Sequence, residues 1–238
     1  MSRGTYSDLT LILPTLNEFR TVPIIVKSAL KEFPGIRVMV VDDGSTDGTV
    51  EAVEKLSNGN GNVRLFNRKR RGLPPGLTAS IIDGISASRT KYVAVMDADM
   101  QHPLSKIRDV SRLLRNGSSL VVCTRSTVKD WPLERVIVSK TLSSMAYLVL
   151  VVRGKKRCGD IFSGFFGMEK KRIYGIVRRN KRRFIGGGYK FLFDLLKCIA
   201  SDSDIRIGEV PYDFGNRKFG ASKAGAIQVV ALLRSFFT

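Results

Sequence analysis

The sequence predicts an α/β protein with a mostly parallel central sheet flanked by helices, and three observations lead to this fold class. Over the first hundred or so residues, short apolar runs alternate with segments whose apolar residues recur at helical spacing. With 238 residues, of which 43% are hydrophobic, the chain is long enough to form a single domain over 1–238 with its own core. Three polar clusters each follow an apolar run, as expected of a site at the carboxyl ends of parallel strands: Pro14-Thr-Leu-Asn-Glu18, Asp42-Asp43-Gly44-Ser45 and Asp97-Ala-Asp99.

The first half of the chain contains predicted strands and helices in alternation. Pro14 is expected to end the first strand, since proline cannot donate to a sheet ladder. Ser45 or Thr46 is expected to cap the second helix, with Asp47 favourable near its positive end. The expected strands are 9–13, 38–41, 63–66 and 92–96, and the expected helices are 21–33, 45–56 and 77–88.

The second half is predicted to add helices and two further strands. The expected helices are 104–116, 136–152, 189–200 and 225–237, and the expected strands are 119–124 and 205–210. The apolar tract 136–152 contains Lys140 and four Ser or Thr residues, and it is shorter than the roughly 20 apolar residues needed to cross a bilayer. We therefore expect no transmembrane segment, and the first eight residues lack the apolar stretch of a signal peptide.

The charge balance predicts an anionic partner. Lys and Arg number 40 against 21 Asp and Glu, a formal net charge of +19, so nucleic acid, an anionic membrane surface and phosphorylated substrates are all candidates. Basic clusters occur at 68–71, 153–157 and 178–183. Such clusters beside apolar helices gain about 1 kcal/mol per Lys or Arg near an anionic leaflet, which predicts membrane-facing helices at 136–152 and 225–237. The alternatives are core helices with solvated basic faces, and nucleic-acid binding, for which the chain carries no recognised module.

The histidine and cysteine content limits the kinds of catalytic and metal site that are expected. His102 is the only histidine, so neither a Ser-His-Asp triad nor a histidine-rich zinc site is expected. The three cysteines, Cys123, Cys158 and Cys198, form no CxxC pair, and we expect them to be small buried residues in a reducing compartment.

The run Tyr92-Val-Ala-Val-Met-Asp97-Ala-Asp99 carries the main chemical prediction. Because alternate residues of a strand share a face, Asp97 and Asp99 are expected to point the same way at the strand end, and Gln101 would continue that face. Oxygen ligands of this kind suit Mg²⁺ or Mn²⁺ together with the phosphates of a substrate. The alternative is an ordinary strand-end turn with an aspartate helix cap.

Seven segments, taken in order, carry a resemblance to a known family. They are Pro14-Thr-Leu-Asn17-Glu18, Val41-Asp42-Asp43-Gly44-Ser45-Thr46-Asp47-Gly48-Thr49, Asp97-Ala-Asp99-Met-Gln101-His102-Pro103, Thr124-Arg125, Asp160-Ile-Phe-Ser-Gly164-Phe, Gly188-Tyr189-Lys-Phe191 and Glu209-Val-Pro-Tyr-Asp-Phe-Gly-Asn-Arg217-Lys-Phe-Gly220-Ala-Ser222-Lys223. They resemble the motifs of the GT-A glycosyltransferases of family 2, most closely the polyprenol-phosphate (dolichol-phosphate) mannosyltransferase group, and the resemblance covers nearly the whole chain. Two segments depart from the family pattern: Gly72-Leu73-Pro74-Pro75-Gly76 replaces a Gly-Leu-Gly loop, and Ser163-Gly164-Phe165-Phe166 lacks the usual final arginine.

The resemblance implies a GT-A (Rossmann-like) fold and a metal-dependent, inverting transfer of mannose from GDP-mannose to a polyprenyl (dolichyl) phosphate. It implies a peripheral enzyme on the cytoplasmic face of a membrane, with a membrane-anchoring subunit as a further partner and no nucleic acid. Two alternatives stay open. One is another family 2 transferase, such as a polyprenyl-phosphate glucosyltransferase that uses UDP-glucose; the other is a non-catalytic basic binding protein.

The resemblance also implies roles for individual residues. The metal ligands would be Asp97, Asp99 and Gln101, and the catalytic residues Asp99, Arg125, Arg217 and Lys223. Asp43 would accept a hydrogen bond from the nucleobase, whereas Asp42 fits a turn carboxylate. Ser139 and Lys140 are lesser candidates for the acceptor phosphate, because a solvated surface charge is the commoner explanation for a lysine in so basic a chain. The full donor-binding set would be Pro14, Leu16, Glu18, Val41, Asp43, Asp97, Ala98, Asp99, Gln101, Arg217 and Lys223.

Overall fold

The computed structural model describes residues 5–128, 133–184 and 190–215 and contains one seven-stranded sheet in the order β3-β2-β1-β4-β6-β5-β7. The strands are β1 (Leu9–Thr15), β2 (Arg37–Asp42), β3 (Val63–Asn67), β4 (Tyr92–Val95), β5 (Leu120–Val128), β6 (Phe166–Glu169) and β7 (Ile207–Phe214). The helices are α1 (Val22–Glu32), α2 (Thr49–Gly59), α3 (Leu77–Ala87), α4 (Ile107–Arg115), α5 (Leu133–Val152), α6 (Lys170–Arg179) and α7 (Phe191–Lys197). Single turns of 3₁₀ helix lie at Lys69–Arg71, Leu104–Lys106 and Lys181–Arg183.

The prediction of a mostly parallel sheet is confirmed, with one exception in strand direction. The pairs β1–β2, β2–β3, β1–β4 and β5–β7 are parallel, whereas β6 runs antiparallel to both β4 and β5. Strand β6 and helix α6 were not predicted. Because β6 is antiparallel, its first residue, Phe166, lies opposite Val95, the last residue of β4. The segment that leads into β6 is therefore at the same edge of the sheet as the residues after β4.

Helices cover both faces of the sheet, as the alternation of strands and helices predicts. Leu11 and Leu13 of β1 pack with α1 and α4 on one face, while Ile12 packs with α3, α5, α6 and α7 on the other. All seven residues of β1 are buried. Burial on both faces explains why this strand reads as a continuous apolar run in the sequence.

Strand β1 continues past Pro14 to Thr15, so the prediction that Pro14 ends the strand is wrong. The carbonyl of Thr15 accepts from the backbone N–H of Asp43, which follows β2. The carbonyl of Ile12 accepts from the backbone N–H of Met96, which follows β4. By alternation, the nitrogen of Pro14 faces β4, which has already ended at Val95. The missing donor of Pro14 therefore lies where pairing with β4 ends, while pairing with β2 continues to Thr15.

The start of α2 also differs from the prediction. The helix begins at Thr49 after Gly48, which has a left-handed φ of 91°, and neither Ser45 nor Thr46 caps it. Ser45 instead donates its hydroxyl to Asp42. Asp47 does lie at the positive end, where it accepts from the backbone N–H of Thr49 at 3.1 Å.

The predicted membrane-facing helices have different outcomes. Helix α5 is 20 residues long and contains the whole 136–152 tract. Within the described residues, no helix combines the length and apolar character that crossing a bilayer requires. The expected helix 225–237 lies outside the described residues.

Candidate functional site

The loop after β4 holds the two aspartates of the central motif. Strand β4 ends at Val95, so Asp97 and Asp99 lie in a loop and the alternation of strand side chains does not set their direction. Met100 adopts a left-handed φ of 62°, which turns the chain so that Asp99 Oδ1 accepts the backbone N–H of Gln101 at 3.1 Å. The expectation that the pair sits on one strand face is therefore wrong in its premise, although both residues remain at the carboxyl edge of the sheet.

Gln101 joins this loop to the end of β7. The Gly215 N–H donates to the Gln101 carbonyl at 3.0 Å, and Gln101 Nε2 donates to the Gly215 carbonyl at 3.0 Å. A Cβ at position 215 would lie 3.3 Å from the Gln101 carbonyl oxygen. This paired contact fixes Gly215 at the Asp97–Gln101 loop. Arg217 and Lys223 lie outside the described residues.

Asp97 is confined between two other segments. Its Oδ2 lies 3.4 Å from Nε2 of His102, and its side chain is 27% exposed. On the other side is Gly164, where a Cβ would lie 2.7 Å from Asp97 Cγ and closer still to Oδ2. Only glycine leaves room for the carboxylate in this position.

Asp43 is held by a buried arginine and a glycine N–H. Its Oδ1 pairs with Arg68, whose side chain is 2% exposed, and its Oδ2 accepts from Gly76 at 2.7 Å. Arg68 also donates through Nε to Asp83 at 2.8 Å. The Gly72–Gly76 loop, stiffened by two prolines, thus sets the position of the carboxylate. Asp42 has the turn role, since its side chain accepts from the N–H groups of Gly44 and Ser45.

The remaining donor-pocket candidates surround the ends of β1 and β2. Pro14 and Val41 are register partners, and Val41 is fully buried, so its side chain belongs to the core beneath these loops. Leu16 is 38% exposed. Glu18 Oε2 accepts the hydroxyl of Thr21 at 2.9 Å.

The two loops that carry these residues are joined by Asn17, which has a left-handed φ of 51°. Its N–H donates to Ser45 Oγ and its Oδ1 accepts from Thr46, both at 2.8 Å. These bonds fix the β1 loop relative to the β2 loop.

Arg125 forms a bidentate ion pair with Asp160. Arg125 Nε and Nη2 lie 2.6 and 2.8 Å from the two carboxylate oxygens, and the guanidinium carbon is 5.6 Å from the ring centre of Phe214. Burial is the largest single influence and works to lower the pKa of Arg125, but the hydrogen bonds and charge of Asp160, together with Tyr212 and Asp97, outweigh it and the pKa is raised. The guanidinium therefore keeps its charge and has a defined orientation.

The acceptor-phosphate candidates on α5 and two of the cysteines differ in their exposure to solvent. On α5, Ser139 is half-buried and Lys140 is exposed. Cys123 and Cys158 are buried free thiols, and burial raises the pKa of Cys158 to about 12, as expected of unreactive core cysteines.

The proposed cation ligands, Asp97, Asp99 and Gln101, all offer side-chain oxygens. Among the described residues, no three His, Cys, Asp or Glu side chains cluster as a metal cage built from protein alone would require. Two carboxylates and an amide oxygen, from Asp97, Asp99 and Gln101, nevertheless fit a hard divalent ion that completes its shell with water and substrate phosphate.

Sequence reasoning missed several residues that the fold brings to this edge. His102 was considered only for what it excludes, and no role was assigned to Arg68, Asp160 or Tyr212. For His102 the available signal was its place directly after the aspartate motif. Arg68 lies in a cluster that was interpreted only as surface charge, although it is buried.

Comparisons with known proteins agree on the family. The profile of glycosyl transferase family 2 matches residues 10–175. The dolichol-phosphate mannosyltransferase of Saccharomyces cerevisiae is 32% identical over 204 residues, which are 83% of this chain and 72% of that protein. The dolichol-phosphate mannosyltransferase of Mycosarcoma maydis is 33% identical over 198 residues, 81% of this chain and 62% of that protein. The chain thus spans less than two thirds of the second relative.

A solved structure agrees on the architecture. Glucosyl-3-phosphoglycerate synthase from Mycobacterium tuberculosis, solved with Mn²⁺, UDP-glucose and glycerol 3-phosphate, superposes with a TM-score of 0.61 at 17% identity, over 96% of this chain and 79% of that one. At this identity the likeness concerns the fold alone, which is the GT-A fold. The chain is a glycosyltransferase and belongs to family 2.

Proposed function

We propose that this protein transfers mannose from GDP-mannose to a polyprenyl (dolichyl) phosphate at a membrane surface, by a single inverting displacement that depends on a divalent cation. One observation carries the proposal: the Asp97–Gln101 loop presents carboxylate and amide oxygens at the carboxyl edge of the sheet, in a chain 32% identical to a dolichol-phosphate mannosyltransferase. Ligands bind outside the carboxyl ends of strands in open sheets of this kind.

The cation would be held by Asp97, Asp99 and Gln101. When bound, Mg²⁺ or Mn²⁺ supplies Lewis-acid neutralisation of the charge that develops on the departing nucleoside diphosphate. The protein's own part is to keep the three oxygens in place. The bond from Gln101 N–H to Asp99 and the paired contact between Gln101 and Gly215 do this.

The donor would lie along the ends of β1, β2 and β4. Asp43, oriented by Arg68 and Gly76, would accept an N–H of the nucleobase. Arg125, fixed by Asp160, would face phosphate oxygens, and Arg217 and Lys223 are proposed for the same task. Arginine offers planar paired donors for this purpose, while lysine offers a mobile point charge.

The acceptor needs no strong general base. A polyprenyl phosphate is an anion at neutral pH, so its oxygen can attack the anomeric carbon without losing a proton to the protein. Catalysis then consists of aligning the nucleophile and neutralising charge. Ser139 and Lys140 are proposed as secondary contacts for the acceptor phosphate.

The surface of α5 supports a membrane location. Ala146 and Leu150 are fully buried against the core, while Leu148 and Val152 are 61% and 78% exposed. A helix that is apolar on its outer face as well needs an apolar neighbour. The basic cluster 153–157 directly follows this helix.

The basic cluster 178–183 supports the same membrane location. Helices α5, α6 and α7 contribute to the same core on one face of the sheet. The cationic side chains of 178–183, which begin in the last turn of α6, are exposed. Apolar and cationic side chains on one side of the molecule are the combination expected of a protein that rests on anionic lipid.

The test is a transfer assay with a panel of nucleotide sugars and polyprenyl phosphates, with and without EDTA. Label is expected to move from GDP-mannose to the lipid in the presence of Mg²⁺ or Mn²⁺, and Asp99→Ala is expected to abolish the transfer. Transfer from UDP-glucose instead would replace the donor assignment. Full activity in EDTA, or in Asp99→Ala, would contradict the metal-dependent mechanism. Tight salt-sensitive binding to duplex nucleic acid without vesicle binding would favour a non-catalytic basic protein.

A further inference from the structure

His102 lies where three segments of the site meet. Its side chain is 3% exposed. Nδ1 is 2.8 Å from the hydroxyl of Tyr212 on β7, and Nε2 is 3.4 Å from Asp97 Oδ2. The ring also contacts Phe165 and Phe214 edge-on, with centroids 5.6 and 5.3 Å apart. The loop after β4, the entry to β6 and the end of β7 thus pack against one imidazole.

Asp97 sets the direction of the hydrogen bonds of this imidazole. A carboxylate oxygen only accepts hydrogen bonds, so the contact with Asp97 Oδ2 requires a proton on Nε2. A singly protonated ring then has no proton on Nδ1, which accepts from the hydroxyl of Tyr212.

We propose that His102 is a positioning residue that, with Tyr212 behind it, holds one oxygen of Asp97 and so directs the other toward the cation. This inference rests on the proposed metal role of Asp97. Side chains that hydrogen-bond to metal ligands restrict ligand orientation, and their loss typically weakens metal binding about 10- to 100-fold.

An aromatic cluster that merely fills space would not need this arrangement. A Cβ on Gly164 would overlap the same oxygen that faces His102, so the Asp97 carboxylate fits between this glycine and the imidazole. A phenylalanine at position 102 would keep the ring packing and lose the donor. A phenylalanine at position 212 would keep both rings and remove only the hydroxyl that is hydrogen-bonded to Nδ1.

The experiment measures the Mn²⁺ affinity of the full chain from the EPR signal of the Mn²⁺ that stays free in solution. Separate titrations contain saturating GDP and saturating UDP. His102→Phe and Tyr212→Phe are expected to weaken Mn²⁺ binding at least about tenfold and about threefold, respectively, a scale set by ligand-orienting groups. His102→Gln, which can place an amide N–H near the Nε2 position, is expected to recover most of the affinity. Transfer by these variants should recover at high Mn²⁺, because the defect is in cation binding.

Controls separate the possible failures. Tyr6→Phe removes a hydroxyl from a ring that packs on Phe33 and is expected to leave Mn²⁺ binding unchanged, and near-UV circular dichroism reports folding. If Asp99→Asn weakens Mn²⁺ binding but His102→Phe and Tyr212→Phe leave it unchanged, the positioning role of His102 is overturned and the proposed metal dependence stands. Absence of Mn²⁺ binding by the wild type with either nucleotide would overturn the proposed metal dependence and this inference with it. Because Tyr212→Phe changes one atom, it decides the matter even if His102→Phe does not fold.

Discussion

Replacing Gly164 with alanine tests the geometry of the site by adding a single methyl group. The backbone at Gly164 lies outside the left-handed region, so alanine can adopt its conformation and the whole effect comes from the new Cβ. That atom would lie 2.7 Å from Asp97 Cγ, whereas carbon atoms prefer separations of about 3.5–4.0 Å. The Asp97 carboxylate must therefore move by about 1 Å.

The expected cost falls on activity. A displacement of about 1 Å at a catalytic group lowers the rate by about 10²-fold, equivalent to about 2.7 kcal/mol of transition-state stabilisation. The displaced group is the end of a side chain that is 27% exposed. It can swing toward solvent, so the free energy of unfolding should change little.

Steady-state kcat/KM for transfer of label to polyprenyl phosphate, together with urea unfolding, measures both quantities. Gly175→Ala is the matched control for activity, because its Cβ would lie 3.6 Å from Arg179 in ordinary contact. Gly167→Ala is the control for folding, because its Cβ would overlap Val110 in the core. An activity of Gly164→Ala within threefold of the wild type would refute the reasoning, as would a loss of stability that matches Gly167→Ala.

Three further predictions concern other parts of the fold. Arg68→Met is expected to lower the free energy of unfolding by about 3 kcal/mol, measured in urea, because it leaves Asp43 partly buried without its cation; unchanged stability would contradict this. Leu148→Glu is expected to weaken binding to anionic vesicles at least about tenfold in a sedimentation assay, since burying a leucine contributes about 2 kcal/mol, whereas Ile24→Glu on the opposite face of the sheet should not. The pKa of Asp47 is lowered, because hydrogen bonds from Thr49 and Phe19 outweigh the opposing effect of burial. Its stabilisation should therefore be present above its ordinary pKa of 3.8 and disappear as the pH falls through the lowered value. The difference in Tm between wild type and Asp47→Asn should follow the same course, and a difference independent of pH would contradict it.

The part of the fold that could be predicted is the part encoded locally. The β-α-β alternation up to β4 was predictable because each strand is a short apolar run and each helix has an apolar face. Strand β6 was not, because Phe166-Gly-Met-Glu169 has four residues and continues directly into α6. Its conformation depends on pairing with β4 on one side and β5 on the other, which no local pattern shows.

The candidate site, like the fold, could be predicted only where the sequence encodes it locally. The motif residues Asp43, Asp97 and Asp99 could be placed at the carboxyl edge of the sheet, because each follows an apolar run. Their partners could not, because the contact between His102 and Tyr212 spans 110 residues and that between Asp43 and Arg68 spans 25. The side-chain direction of Asp97 also escaped prediction, since it depends on where β4 ends.

The direction of β6 and the enclosure of Asp97, neither of which the sequence pattern showed, are connected. Because β6 is antiparallel to β4, the chain enters β6 at the carboxyl edge of the sheet and brings Gly164 against Asp97. Because β7 is parallel to β5, it ends at the same edge and brings Tyr212 to His102. An uninterrupted parallel order would start every strand at the opposite edge, so no strand entry could enclose Asp97. The reversal of one four-residue strand is therefore what converts an aspartate in a loop into a carboxylate with a fixed orientation.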